Sequence, residues 1–225
     1  MTFSIVGRCE NTGMFGVAIT TSSICVGARC PHARAGVGAV ATQNITDPSL
    51  GPRLLDKMES GLSSRDAVAE ILSNLEYAEY RQLILIDKNG ETAVHTGSNI
   101  LGIHSESQGI NCFAAGNLLL NASIPAAMTR SFKELRDQHL APRLLNSLQA
   151  GLDAGGEQGD VHSAALLVVD TQSFPLVDLR VDWQDNDTLG KLRKIWTDYE
   201  PQMLDYLTRA VNPADAPSYG VPGDL

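Results

Sequence analysis

The feature that most constrains this chain is the alternation that begins at its second residue. Phe3 and Ile5 fall on one face of a strand, while Thr2, Ser4, Val6 and Arg8 fall on the other. Glu10-Asn11-Thr12-Gly13 reads as a turn, and the chain returns through residues 14–21, apolar enough for a central strand. The two segments predict an antiparallel hairpin with Thr2 at its open end. If Met1 is removed, Thr2 becomes terminal and carries a nucleophile and a weak base on one residue, the amine titrating near about 7.7–8.0 when unperturbed. That combination suits cleavage of an amide at neutral pH. The bland reading is that many chains begin Met-Thr without consequence, so the spacing by itself makes Thr2 a candidate nucleophile and no more.

Composition narrows the classes. A chain of 225 residues with 43% hydrophobic content is expected to form one well-cored domain, here 1–211, followed by a Pro- and Gly-rich arm over 212–225. Seventeen basic against 26 acidic side chains, a formal charge of −9, weigh against nucleic acid and anionic membrane as partners. With no basic leader and no apolar run near the roughly 20 residues of a membrane span, a cytoplasmic location is expected. Cys9, Cys25, Cys30 and Cys112 lack metal-pair spacing and are read as free thiols, so neither metal nor cofactor is expected.

Further along, 36–43 is a short buried strand ending in the polar pair Thr42-Gln43. Before it, 25–32 reads as a loop or strand edge in which Cys30 and His32 could neighbour one another as ligands or as nucleophile and base. A plain loop reading is preferred, because no second ligand pair follows at metal spacing. Asp47-Pro48 opens a helix through Leu54, Leu55 and Met58, and Ser63 with Asp66 forms a capping box for a second, carrying Val68, Ile71, Leu72 and Leu75. Residues 81–87 and 91–96 flank the turn Lys88-Asn89-Gly90 and begin a second sheet. Arg81, His95 and Thr96 sit at its strand ends, where polar residues line a site or meet solvent; His95 is best suited to hydrogen-bonding support. Residues 111–117 form a strand ending in a Gly116-Asn117 corner that can aim a backbone N–H and an amide at an oxyanion, or simply turn the chain.

A second helical block runs from Ser123 through Phe132 and from Pro142 to Gly151. The acidic, Gly-rich loop 153–162 lacks the lysine of a phosphate cradle. Strands at 163–170 and 174–183 follow, with Asp178 and Arg180 on one face to pair with each other, with Arg8 or with Glu157. Terminal helices then break near Pro201. Helical blocks between strand runs predict an α+β fold of two stacked, mainly antiparallel sheets with helices outside.

Several segments together, namely Thr2-Phe3-Ser4-Ile5, Thr12-Gly13-x-x-Gly16-Val17-Ala18, residues 36–43, Arg81-Gln82, His95-Thr96-Gly97, Gly116-Asn117 and residues 163–169, resemble a bacterial family of unknown function classed with the N-terminal nucleophile (Ntn) hydrolases. The likeness extends to Val177–Asp182 and to the closing residues 216–224. It implies a four-layer αββα sandwich with the nucleophile strand in a central sheet and no settled substrate; with the terminal threonine it leads to the reading of a hydrolase of an amide or related C–N bond in a small molecule. In such a reading Thr2 attacks, its own amine is the base, Gly116 and Asn117 stabilise the oxyanion, and Arg81, Gln82, His95, Thr96, Gln43 and Ser163 meet the substrate. Where the family more often has Asp, Arg and Gln, this chain has Glu157, Gly159 and His162, a departure that bears on any arginine-dependent substrate contact. A non-catalytic small-molecule-binding protein on the same scaffold is the rival, and nucleophilic Cys9 or Cys30 a weaker one. The run Leu118-Leu119-Leu120 and the Pro-rich arm point to a homodimer.

Overall fold

The computed structural model describes residues 1–220. Among the described residues ten strands form two sheets: β1 (Thr2–Arg8), β2 (Phe15–Thr21), β3 (Pro31–Arg34), β4 (Gly38–Asn44), β5 (Arg81–Asp87), β6 (Thr92–Thr96), β7 (Ser105–Gly109), β8 (Cys112–Asn117), β9 (Ser163–Val169) and β10 (Val177–Val181). The larger sheet runs β10-β9-β2-β1-β8-β7 and the smaller β3-β4-β5-β6, with every pairing antiparallel. Helices α1 (Leu50–Glu59) and α2 (Ser64–Leu72) cover the smaller sheet, and α3 (Ile124–Glu134), α4 (Leu140–Asp153) and α5 (Thr188–Tyr199) cover the larger. A 3-10 turn at Glu200–Gln202, which contains Pro201, separates α5 from α6 (Met203–Val211). The result is two stacked antiparallel sheets with helices outside, as the strand runs and helical blocks predict, in the αββα sandwich that the family resemblance implies.

Side-chain parity builds the layers. Phe3 and Ile5 of β1 join Phe132, Leu144 and Leu148 beneath the helices, while Val6 joins Phe15, Val17, Ile84, Ile86 and Phe113 between the sheets. Helix α4 comes close because Gly7 and Gly16 lie directly opposite one another in the β1–β2 register. Together they make a dent in the sheet that seats Phe132 and Leu144. A Cβ on Gly16 would meet Leu144 Cδ1 and the Leu167 carbonyl oxygen, each at 2.7 Å.

Local chemistry places the element ends with some departures from expectation. Ser63 caps α2, its Oγ accepting from the Asp66 N–H at 3.1 Å and donating to Asp66 Oδ2 at 2.7 Å in place of the reciprocal backbone bond of a full capping box. The first helix begins at Leu50 rather than beside Pro48, with Asp47 Oδ1 accepting from the Ser49 N–H and hydroxyl. Helix α4 begins at Leu140, capped by His139, so Pro142 lies within its first turn. The segment 25–32 holds a 3-10 turn and the start of β3, with Cys30 buried, and the polar edge strand β7 carries no apolar alternation that would announce it. Asp178 and Arg180 pair with each other at 2.8 Å.

Leu119 is wholly buried and only Leu120 of the leucine run is exposed. The arm, to its last described residue, lies back on its own chain, where Arg209 donates to the Pro217 carbonyl at 3.0 Å and stacks on Tyr219. The arm's last five residues lie outside the described ones. Among the described residues no helix is long and apolar enough to cross a membrane.

The glycine dent generates a prediction. Gly16→Ala should destabilise the protein by about 1–3 kcal/mol, since the Leu167 backbone cannot yield as a side chain can. Urea unfolding checks it, and a variant as stable as the parent would show that the dent does not set the approach of α4.

Candidate active site

At the Thr2 end of the larger sheet, one row of residues crosses four neighbouring strands. Asn117 of β8 is paired with Thr2 of β1, and Ser163 of β9 is paired with Thr21 of β2. Because Phe3 is paired with Thr20, Thr21 lies beside Thr2 and completes the row. Strand parity aims all four side chains between the sheets, two residues on from the apolar layer in β2, β8 and β9 and one further step on in β1, where Ser4 intervenes. Facing them, Gln43, Gln82 and Thr96 are paired across β4, β5 and β6 on the inward face of the smaller sheet. The interface is thus apolar in its middle and polar at this end.

The facing rows are joined by a buried amide network. Ser4 Oγ donates to Gln43 Oε1 at 2.7 Å, Gln43 Nε2 to Gln82 Oε1 at 2.8 Å, and Asn117 Nδ2 to the same Gln82 oxygen at 3.1 Å. Gln82 Nε2 donates to the Gly116 carbonyl at 3.4 Å and reaches Thr96 Oγ at 3.5 Å, and the Thr96 hydroxyl in turn donates to Glu106 at 2.9 Å. A carbonyl can only accept, so Gly116 determines which end of Gln82 is the nitrogen, and Gln82 in turn determines which end of Asn117 is. Asn117 therefore gives one Nδ2 hydrogen to Gln82 and leaves Oδ1 buried with no partner.

Thr2 itself is 7% exposed and lies beneath Met1. Its hydroxyl is 2.5 Å from the Met1 carbonyl oxygen and 3.2 Å from Thr21 Oγ, and the Thr21 hydroxyl donates to the same carbonyl. Next to the amine stands Glu157, 5% exposed, one oxygen accepting from the Ser22 N–H at 3.1 Å and the other buried without a partner. Burial pushes this carboxyl up to about 8, against the opposing pull of the terminal ammonium and of Ser22. Gly159 comes against the Met1 side chain. The loop is held in place by the segment after the Asn117 corner: Leu119 bridges Glu157, the Leu120 N–H donates to Gly156 O, and the Gln158 N–H to Leu118 O. Gly156 takes a positive φ of 62° that lets the chain turn from α4 into this pairing. A cavity of about 460 Å³ opens beside Glu157, walled also by Asp160, Asp185 and Asp187.

The structure divides the residues singled out in the sequence. Thr2, Asn117, Gln43, Gln82 and Thr96 share the inter-sheet polar end, and Gly116 enters it through its carbonyl. Ser163 shares the row, but its hydroxyl is spent on structure, donating to Ser23 O at 2.6 Å and accepting from the Val26 N–H at 3.1 Å. Arg81 and His95 are one residue out of phase with Gln82 and Thr96, so they face the helix side of the smaller sheet, where they bond the carbonyls of Ile45 at 2.5 Å and Ala78 at 2.8 Å. Cys30 is buried and bonded to Thr46, its thiol raised by burial, and Cys9 lies at the opposite end of β1 from Thr2. His162 turns away to Gln184 O at 3.0 Å and stacks on Trp183. Glu157 and Thr21 are the residues that sequence reasoning left out of the site. Thr21 was readable from hairpin register, whereas Glu157 is brought in by a loop contact that no local pattern announces.

Comparison with known proteins supplies a family. A model of a family of unknown function, DUF1028, matches residues 2–192. A crystal structure of a protein of that family from Silicibacter pomeroyi is 32% identical, covers 88% of each chain and superposes with a TM-score of 0.81. More distant are Anbu (ancestral beta-subunit) from Yersinia bercovieri, 10% identical over 97% of this chain and 100% of that one, and the Anbu (Gly-1) mutant from Hyphomicrobium sp., 14% identical over 91% and 97%; both have a TM-score of 0.40. No curated protein matches the chain. With a family model spanning most of its length and a family structure superposing on it, the chain belongs to DUF1028, a family of unknown function.

Proposed function

We propose that this protein is a hydrolase of the N-terminal nucleophile type, cleaving an amide or related C–N bond of a small molecule with Thr2 after loss of Met1. The observation that carries the reading is the position of the Thr2 hydroxyl. It heads a central strand and points into the place where the inter-sheet layer turns polar, beside Thr21 and Asn117. In the mechanism, the neutral Thr2 amine takes the hydroxyl proton as Oγ adds to the substrate carbonyl carbon. At the Gly116-Asn117 corner Asn117 meets the oxyanion with its second Nδ2 hydrogen, while Gly116, whose carbonyl accepts from Gln82, serves to place Asn117. The ammonium then returns its proton to the leaving nitrogen, the C–N bond breaks, and a Thr2 ester remains. Water, deprotonated by the amine, hydrolyses that ester and restores the free hydroxyl.

The remaining groups have supporting parts in this scheme. Asn117 Oδ1 is an acceptor suited to a hydrogen of the Thr2 amine, and Thr21 orients the nucleophile. Gln43 and Gln82 hold Asn117, and Arg81 and His95 support the strand ends from the far side of the sheet. Homodimerisation belongs to the same proposal, resting now on Leu120, 56% exposed, and on the outer face of α6, where Leu204 is 62% exposed. Sedimentation velocity at micromolar concentration should then give a dimer, and a monomer would remove that part.

The chemistry is tested with protein shown by intact mass to begin at Thr2 and a panel of small acyl p-nitroanilides. Thr2→Ala should lower kcat by roughly three orders of magnitude or more with the fold intact, and Thr2→Ser should keep part of the rate. Full activity in protein that retains Met1 would overturn the mechanism. A binding protein would show no turnover in any form and the same ligand affinity in all of them.

Glu157 generates a pH prediction. Where its carboxyl ionises it favours the ammonium form of the amine, and because burial keeps it largely protonated below about pH 8, Glu157→Gln should move the acidic limb of kcat/KM only slightly, and to lower pH. The same substitution has a stability signature. The folded pKa lies above the unfolded value of about 4.3, so the native state holds the extra proton and the parent protein loses stability as pH rises from about 5 to 8. Urea unfolding across that window should show the Glu157→Gln variant with a flatter profile, and parallel profiles would contradict the assignment.

A further inference from the structure

The far end of β1, six residues and roughly 20 Å of strand from Thr2, holds a second cavity of opposite character. It encloses about 250 Å³ and is walled by Arg8, Lys133, Arg136 and Arg143, with Glu10 as the one carboxylate and Cys9 at its inner wall. Four of the chain's 17 basic residues thus meet in one recess of a protein whose formal charge is −9. Clustered cations repel one another, and a protein rich in carboxylates had counter-ions to spare. Yet within 4 Å the described residues give these four one ion pair, the exposed Arg136 with its neighbour Asp137 at 3.8 Å.

Two of the cations are held in place by the fold. Arg143 is 5% exposed, its guanidinium 3.9 Å from the Phe132 ring centroid and one Nη2 hydrogen given to the Phe132 carbonyl at 3.3 Å. Its Nε is buried without a partner. Arg8 gives Nη1 to Asn111 Oδ1 at 3.3 Å, and its Nε too is buried and unbonded. Glu10 acts on Arg143 through its charge but pairs with none of the four within 4 Å, its Oε2 accepting instead from Asn111 Nδ2 at 3.2 Å, so one carboxylate faces four cations. The field is felt by the thiol beside them. Burial raises Cys9, yet hydrogen bonds from Thr12 and Asn11 and the charge of Arg143 bring it below its usual value.

We infer that this recess is a binding site for a small oxyanion-bearing molecule, a phosphate or a carboxylate, with Arg8 and Arg143 as fixed guanidinium donors and Lys133 and Arg136 closing from the rim. Guanidinium forks match both oxyanions, and a rigid arginine loses little freedom when it binds. The two rim residues lie on one helix end and its exit, where long exposed side chains can reach inward over the opening.

The test uses the full chain and two probes at constant ionic strength, inorganic phosphate and malonate, with sodium chloride as the reference. Titration calorimetry should give saturable binding of at least one probe, with an accompanying rise in Tm, and whichever binds more tightly identifies the oxyanion. Lys133→Ala combined with Arg136→Ala, both on the surface, should leave the unliganded fold unchanged and weaken binding at least tenfold. Arg8→Gln should weaken it similarly, and Thr2→Ala should leave it as it is. Failure of both probes to saturate, equal affinity in the rim double variant, or loss of binding in Thr2→Ala would each overturn the inference.

Discussion

The constraint on which this structure depends is the burial of amides between two sheets. A sandwich interior is dry, and a primary amide placed there must find partners for its oxygen and its hydrogens or cost the fold about 1–3 kcal/mol for each group left unpaired. Gln82 is wholly buried and meets that demand by touching Gln43, Asn117, Gly116 and Thr96 at once. In doing so it ties β5 of the smaller sheet to β8 of the larger. Apolar neighbours such as Ile84 and Phe113 bring the sheets together without saying which atom faces which; the amides supply that direction.

Orientation passes from the network to the candidate nucleophile through Asn117. The one-way chemistry of a backbone carbonyl fixes Gln82, Gln82 fixes Asn117, and Asn117 then faces the Thr2 end of β1 with an unspent acceptor. Glu157 approaches the same point from the opposite side, also with one unspent oxygen. Two buried acceptors without partners, Asn117 Oδ1 and one Glu157 oxygen, cost the fold stability, which marks this end of the sandwich as a candidate site.

Much of this was legible in the sequence because strands obey a period of two. The separation of Phe3 and Ile5 from Thr2, Ser4 and Val6 is visible in the first line of residues, and the structure adds which of the two faces lies between the sheets. The same rule shows why Arg81-Gln82 and His95-Thr96 cannot be read as units: adjacent strand residues face opposite ways, so one member of each pair reaches the site layer and the other the helices. Leu118-Leu119-Leu120 resembles an exposed patch until Leu119 is seen to be core and Leu118 to adopt a left-handed φ of 50° at the corner. Strand β7 was hidden because an edge strand with both faces partly wet needs no apolar alternation. Glu157 stayed out of the site because its place depends on Leu119 and Gly156, which are distant from Thr2 in sequence, and no local pattern encodes that meeting.

The two ends of β1 also explain how one strand can serve opposite charges. A helix would present a macrodipole with a fixed sign at each end, but antiparallel strands nearly cancel, so apart from the terminal ammonium beside Glu157 the field at each end comes from side chains. At the Thr2 end those are Glu157, Asp160, Asp185 and Asp187; at the other they are Arg8, Lys133, Arg136 and Arg143. Between them lie residues 3–7, all buried, so the charges of the two ends meet solvent separately. At roughly 20 Å, beyond the ~8 Å over which physiological salt screens exposed charges, the ends act as separate electrostatic sites. They share only the rigidity of the strand that holds each in place.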